Sequence, residues 1–422
     1  MTTVPSPPTF SHFEALPPVP DRRVAVRLTK DALRQVRGGH PWVYDQAINS
    51  IKPDSAPTGS LGVVFDDNRR FVAIGLYDPD SPIVVRILHQ GAPTPIDASF
   101  WLSKVTEAAE KRSSLIARSD VTGLRHIHGE NDGLGGLIVD EFSGTFVVKI
   151  YTAAWLPHIE SVLRALVAVH EPERIVIRLS RTVSRLPDGE RANLVDGMVV
   201  YGPPIEGSIS FLENGLVFSA DVISGQKTGH FLDQRDNRAF VAEYAQGKRI
   251  LDVFSCTGGF AVHAAASGAE SVHVVDRSPF AIEAARHHFD QNVDSAKTRF
   301  ASSVGDAFEV LADLVNSGER FDLVVVDPPA FASRASERTA ALRSYRALAE
   351  LALDLLVPGG RLFQASCSTR VTVEDLVDIV ERAASERNLT LSAVRTFGHA
   401  VDHPVSFTQG RYLDAVTATV HS

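Results

Sequence analysis

The chain has 422 residues, 44% of them hydrophobic, with a formal net charge of −9. That length exceeds one ordinary core and predicts two or three domains, while the acidic balance excludes a generally basic nucleic-acid binder and confines phosphate contacts to local patches. Two cysteines, Cys256 and Cys367, exclude a disulfide framework and predict a reducing cytoplasm, and no run reaches the roughly eighteen apolar residues of a membrane span. The opening segment has neither a positive n-region nor an apolar stretch, so 1–21 is expected to be a disordered Pro-rich tail.

Residues 22–92 form the first expected domain. Short strands at Val24 to Leu28, Gly62 to Phe65, Phe71 to Leu76 and Ile83 to Leu88 surround one helix, Lys30 to Arg37, and Gly, Pro and Asp punctuate them. A small β barrel is the natural closure. Arg22, Arg23, Arg27, Lys30, Arg34 and Arg37 stand almost unopposed by acids, and the aromatics of His40-Pro41-Trp42-Val43-Tyr44 follow. Basic and aromatic surfaces together suit RNA; a solvated face, with Trp42 in the barrel core, fits the same residues.

The second expected domain, 93–207, reads as a small α/β unit. It has a helix from Phe100 to Ala117, strands at Gly136 to Asp140 and Thr145 to Ile150, a helix from Leu156 to Val169 and a strand at Arg174 to Arg178. His126, His128, Glu130 and Asp132 are close in sequence but lack metal-ligand spacing, so they are expected to be surface-loop polarity. No metal site is expected anywhere.

In 208–422 strands and helices alternate, which predicts a mostly parallel, doubly wound sheet. The last two strands, Leu389 to Phe397 and Tyr412 to Val420, have no helix between them and are expected to pair antiparallel at one edge. The domain is organised around Ile250-Leu251-Asp252-Val253-Phe254-Ser255-Cys256-Thr257-Gly258-Gly259-Phe260, a strand, a glycine loop and the start of a helix. The loop lacks the G-x-G-x-x-G spacing that seats a pyrophosphate, and Asp252 beside it would repel one. A cationic amino-acid-bearing ligand with a ribose and no phosphate, S-adenosylmethionine (SAM), fits better. Asp276, ending the next strand, is placed to hold the ribose diol, Asp306 the adenine amine, and Asp252 with Gly258 and Gly259 the methionine end.

Acids, prolines or a thiol stand at five strand ends: Asp252, Asp276, Asp306, Asp327-Pro328-Pro329 and Ser366-Cys367-Ser368. Packing does not explain this, because a buried carboxylate without a partner is costly. The two prolines fix the backbone after Asp327, Phe331 offers a face to a base, and Cys367 ends the following strand. A lone cysteine is usually inert core, but this position marks it as a reagent.

These segments, with Lys227-Thr228-Gly229-His230-Phe231-Leu232-Asp233-Gln234-Arg235 and Asp402-His403-Pro404, resemble the bacterial 23S rRNA cytosine-C5 methyltransferases that carry an N-terminal PUA domain. The likeness spans about residues 22 to 420, with His40-Pro41-Trp42 matching the PUA segment. It implies a PUA-like barrel, a central α/β domain and a class I SAM-dependent methyltransferase domain, with Cys367 and Asp327 catalytic. Asp252, Phe254, Gly258, Gly259, Phe260, Asp276, Arg277, Asp306, Asp327, Phe231 and Gln234 are the expected SAM-binding set, and Arg23, Lys30, Arg34, Arg37, Arg334 and Arg338 the expected RNA contacts. Position 330, commonly Lys in the family, is Ala here, and the place of Cys256 is often Tyr, which counts against catalysis by Cys256.

The expected function is methyl transfer to C5 of a cytosine in ribosomal RNA, in the cytoplasm, with ribosomal RNA as partner and a homodimer as in the family. The competing readings are methylation of a base nitrogen, which needs no cysteine, and a non-catalytic RNA-binding assembly factor.

Overall fold

The computed structural model describes residues 9–225, 228–332 and 334–422. The chain divides into two units. One holds the chain up to Leu212 with Ser219–Leu232 and Asp402–Phe407; the other holds Glu213–Phe218, Asp233–Val401 and Thr408–Ser422.

In the first unit, strands β1 (Val24–Leu28), β2 (Trp42–Tyr44), β3 (Ile48–Lys52), β4 (Leu61–Phe65), β5 (Phe71–Tyr77) and β6 (Ile83–Gln90) form a sheet of order β2-β6-β5-β4-β1-β3. The basic helix occupies Lys30–Arg37 as expected: Thr29 accepts from the Ala32 amide at its start, and Gly38 ends it. A second sheet, order β11-β10-β9-β8-β7, is built from β7 (Gly123–His128), β8 (Leu137–Phe142), β9 (Thr145–Ile150), β10 (Arg174–Leu179) and β11 (Met198–Tyr201). One core cluster runs through both sheets, joining Leu61, Ile74 and Leu88 to Trp101, Val148, Trp155 and Ile177.

Three expectations change here. The tail does not stay free over its whole length, because Phe10 is buried in that core, stacks on Phe13 and meets Tyr201; residues 1–8 lie outside the described residues. The helix expected over Phe100 to Ala117 breaks at Arg112, giving Ala98–Lys111 and Ser113–Ile116. Its guanidinium turns inward to Asp132 at 2.7 Å and to the Asp402 carbonyl at 2.9 Å. The polar run from His126 to Asp132 is not surface: β7 is buried throughout, and His126, His128 and Asp132 are buried. Ion pairs carry that burial. Arg125 binds Asp140 at 2.7 and 2.9 Å, and His126 Nε2 lies 2.7 Å from Glu141.

The boundary between the units runs through the hairpin of β12 (Ile209–Glu213) and β13 (Leu216–Ala220). The second unit is built on a seven-stranded sheet of β14 (Arg249–Val253), β15 (Ser271–Asp276), β16 (Arg299–Val304), β17 (Phe321–Val326), β18 (Leu356–Ser366), β19 (Thr390–Phe397) and β20 (Asp414–His421). Its order is β16-β15-β14-β17-β18-β20-β19. The first five strands are parallel, and β20 and β19 add antiparallel at one edge, as expected. The central strands are mostly apolar because both faces are covered: Ile250, Leu251 and Val253 are fully buried around Asp252, as are Val324, Val325 and Val326. The helix Gly259–Ala266 is buried along nearly its whole length, which explains its alanines. Among the described residues no helix is long and apolar enough to cross a membrane, and no group of three or more His, Cys, Asp or Glu could hold a metal ion.

Candidate active site

The chain leaves β14 for β15 and β16 on one side, then crosses to β17 on the other, so the strand order reverses between β14 and β17. That reversal opens a crevice at the carboxyl ends of these two strands, where ligands of open α/β sheets bind. The loop after β14 is held in costly backbone conformations, with Phe254 at φ 63° and Cys256 at φ 48°. Gly258 has φ 81°, and a Cβ there would stand 2.7 Å from that of Ala285; one on Gly259 would meet Arg238 Nε at 2.4 Å. Both positions therefore require glycine, because Ala285 and Arg238 already fill the space a side chain would take; the Gly258 amide closes the loop by donating to the Ser255 carbonyl at 2.8 Å.

Asp252 lies 1% exposed beneath this loop. Its Oδ2 accepts from the Ala261 amide at 3.0 Å, while Oδ1 is buried with no hydrogen-bond partner. Burial, reinforced by the carboxylates of Asp327 and Asp276, pushes its pKa up to about 7 against the pull of the Ala261 bond and of Arg238. An unmatched carboxyl oxygen among acids is a site short of positive charge. Arg238 is already engaged by Glu213, at 2.8 and 2.9 Å, and its guanidinium lies 5.8 Å from the ring centre of Phe260. This buried pair shapes the loop from behind and was not foreseen, since Arg238 lies beyond the segment from Lys227 to Arg235.

Asp276 ends β15 and organises the loop, accepting from the Cys256 amide at 3.0 Å and the Ser278 amide at 2.9 Å. Each carboxylate oxygen keeps acceptor capacity beyond one such bond. Asp306 caps the helix Ala307–Asn316 through the Phe308 amide and is exposed, as is Arg277. Phe260 is buried against Phe363. Gln234 is buried and accepts from Asn237 at 2.6 Å. Phe231, in the first unit, is half-buried. Lys227 lies outside the described residues.

Asp327 follows β17, its amide donating to the Val253 carbonyl at 3.2 Å, which ties it to the strand below the glycine loop. On the neighbouring strand β18 the chain ends in Ser366 and Cys367. The Cys367 thiol, half-buried, donates to the Pro328 carbonyl at 3.6 Å, so the thiol sits against the residue that follows Asp327. Phe331 closes this corner, 6.5 Å from Phe254 and 5.1 Å from Tyr345, both edge-on. The other thiol differs: burial, with Asp276 and Asp327 nearby, pushes Cys256 up and keeps it protonated.

The basic residues are less unopposed than expected. Arg34 pairs with Asp31 at 2.8 Å, Arg37 with Asp66 at 2.9 Å, and Arg338 with Asp375 at 2.7 Å. Arg23, Lys30 and Arg334 are exposed. Trp42 is half-buried; its Nε1 donates to Glu130 at 2.8 Å and its ring meets Phe407 at 5.1 Å.

Residues 194–399 match the family described as S-adenosylmethionine-dependent methyltransferase, and residues 26–90 match the PUA-like domain. A protein of Deinococcus radiodurans named ribosomal RNA large subunit methyltransferase is 41% identical over 93% of this chain and 97% of its own. An Aliivibrio fischeri protein named ribosomal RNA large subunit methyltransferase I is 32% identical over 94% and 99%. The crystal structure of SMU.776, a methyltransferase complexed with SAH, superposes with a TM-score of 0.78 at 19% identity, covering 94% of this chain and 99% of that one, and so shares the fold. The class I methyltransferase fold, the PUA-like domain and the dependence on SAM are thus in place, and the chain belongs to the family of the ribosomal RNA large subunit methyltransferases.

Proposed function

We propose that this protein methylates C5 of a cytosine in the RNA of the large ribosomal subunit, with Cys367 as the nucleophile. The observation that carries the reading is a thiol held 3.6 Å from the Pro328 carbonyl, beside Asp327, at the mouth of the crevice. Under this reading the protein works in the cytoplasm, as a homodimer, with domains at 22–92, 93–207 and 208–422.

C5 of cytosine is a poor nucleophile. Addition of the Cys367 thiolate to C6 breaks the C5–C6 double bond and turns C5 into an enamine carbon able to accept a methyl group; a base then takes the C5 proton, and the thiolate leaves. Asp327 can accept from the N4 amine and, when protonated, donate to N3, where charge develops. The target base must be unstacked to enter. When bound, SAM supplies a methyl group on a positively charged sulfur. The chain's residues fit it: the unpartnered Asp252 Oδ1 faces a site short of positive charge, and the Asp276 carboxylate, with one amide on each oxygen, keeps acceptor capacity for a diol. Asp252 and the Gly258-Gly259 backbone hold the methionine end, Asp276 the ribose and Asp306 the adenine amine, with Phe254, Phe260, Arg277 and Gln234 completing the set.

Incubation of deproteinised and native ribosomal RNA with labelled SAM, followed by nucleoside analysis, tests the reading. Label in 5-methylcytidine is expected. Label in a methylated guanosine would move the target to nitrogen, and absence of transfer would favour an assembly factor.

Two predictions concern the cofactor. Hydrogen bonds to a charged group contribute roughly 1.5 to 3 kcal/mol each, so Asp276→Ala weakens SAM by about one to two orders of magnitude; unchanged affinity by calorimetry in a folded variant removes the ribose assignment. The second is a pH dependence. Asp252 holds its proton below about pH 7, and a cationic ligand needs the carboxylate, so binding expels that proton on the acid side. Affinity therefore rises with pH and levels off above about 7, and is about tenfold or more weaker at pH 5.5 than at 7.5. Asp276, Asp327, Arg238 and Cys256 are the other ionisable groups around it. Without ligand the same shift works against folding as pH rises from 3.8 to about 7, because the folded state keeps a proton that the unfolded chain has lost. A flat affinity profile, or one that Asp252→Asn leaves intact, contradicts this.

For RNA, the exposed Arg23, Lys30 and Arg334, with Arg34, Arg37 and Arg338, supply phosphate contacts. Affinity should fall steeply with salt, and the combined Arg23→Ala, Lys30→Ala and Arg334→Ala variant should reduce the log–log slope by roughly two. An unchanged slope assigns these residues to a merely solvated face.

A further inference from the structure

Behind the two strand ends lies a tyrosine that the chemistry above does not use. Tyr345, on the helix Arg338–Asp354, is fully buried. The Ser366 hydroxyl donates to its phenol oxygen at 2.9 Å. Ser366 immediately precedes Cys367, and Phe331 ends the segment that begins at Asp327. The Tyr345 ring meets Phe331 edge-on at 5.1 Å, and its carbonyl accepts from Gln364 Nε2 at 2.9 Å. On the other side of Cys367, the Ser368 hydroxyl donates to the Ala332 carbonyl at 2.8 Å.

We propose that Tyr345 is a positioning residue: its hydroxyl, bonded to Ser366, and its ring, edge-on against Phe331, together pin the strand end carrying Cys367 to the segment that begins at Asp327, so that thiol and carboxyl meet the same base. The inference rests on the C5 reading. A core tyrosine packs by its ring and sends its hydroxyl to whatever partner is near; this one places it where the two loops bearing the reacting groups converge. The phenol acts as a neutral post rather than a base. Burial raises its pKa well above the usual phenol range, and the neighbouring Cys367 and Asp327 add to that. Misplacement of reacting groups by about 1 Å can cost on the order of a hundredfold in rate.

Tyr345→Phe keeps the ring and removes the hydroxyl. Its kcat should fall about tenfold to a hundredfold, with KM for RNA and Kd for SAM unchanged, and the pH profile of Cys367 alkylation by iodoacetamide, followed on the isolated peptide by mass spectrometry, should shift. Ser366→Ala should show the same loss, and the double variant no further loss, because the two hydroxyls act as one tie. Parental kcat in Tyr345→Phe, or losses that simply multiply in the double variant, would overturn the proposal. If Tyr345→Phe does not fold, Ser366→Ala decides alone, and parental kcat there overturns it. Failure of the C5 reading is separately visible: Cys367→Ala turning over at the parental rate sinks that reading whatever Tyr345→Phe does.

Discussion

Cys367→Ala should lower methyl transfer to below about one thousandth of the parental rate, the scale of loss seen when a covalent nucleophile is removed, and leave the Kd for SAM nearly unchanged. The dissociation of the two effects follows from geometry. Cys367 follows β18 and bonds the Pro328 carbonyl, whereas the proposed methionine and ribose contacts come from the loop after β14 and from Asp276. Cys256 is no substitute, because its thiol is pushed up by burial and by the acids around it, and Cys256→Ala should keep most of the activity. Single-turnover methylation with labelled SAM, set beside calorimetric SAM binding, measures both quantities. Robust turnover by Cys367→Ala would exclude attack at C6 and point to a nitrogen target.

Asp327→Ala should lower the single-turnover rate by about a hundredfold to a thousandfold, the usual loss when a group stabilising developing charge is removed from a site that excludes water. The backbone is expected to hold its course, since the Asp327 amide bonds Val253 and two prolines follow. SAM affinity should change far less than the rate, because Asp252 and Asp276 are proposed to carry most of that contact. A variant that binds SAM tenfold or more weaker yet transfers methyl at the parental rate under saturation would reassign Asp327 from the base to the cofactor.

The methyltransferase sheet was legible because parallel strands covered on both faces are strongly apolar, so Leu323 to Val326, and Ile250 to Val253 with Asp252 alone interrupting it, declared both themselves and their ends. Once the ends were known, the acids and the thiol standing on them followed. β7 was not legible. Arg125, His126 and His128 interrupt any apolar alternation; Asp140 on β8 pairs with Arg125, Glu141 on β8 bonds His126, and the His128 ring lies 3.1 Å from the Arg125 guanidinium. Pairings of that kind exist only in the folded chain. Tyr345 escaped for the same reason: an aromatic on the apolar face of a helix reads as core, and its partner Ser366 lies 21 residues further along. The basic cluster was overread, because Asp66, distant from Arg37 in sequence, is brought to 2.9 Å from it. Such pairs reduce the charge left for phosphate.

The most direct measurement uses target RNA in which the acceptor cytosine is 5-fluorocytosine. Addition of a thiolate to C6 and methyl transfer to C5 can proceed, but there is no C5 proton to remove, so the protein remains bonded to the RNA. The account predicts an adduct that survives denaturing electrophoresis, requires SAM, maps by mass spectrometry to Cys367 and is missing in Cys367→Ala. Methyl transfer to this RNA without any adduct, or an adduct that persists in Cys367→Ala, would contradict it.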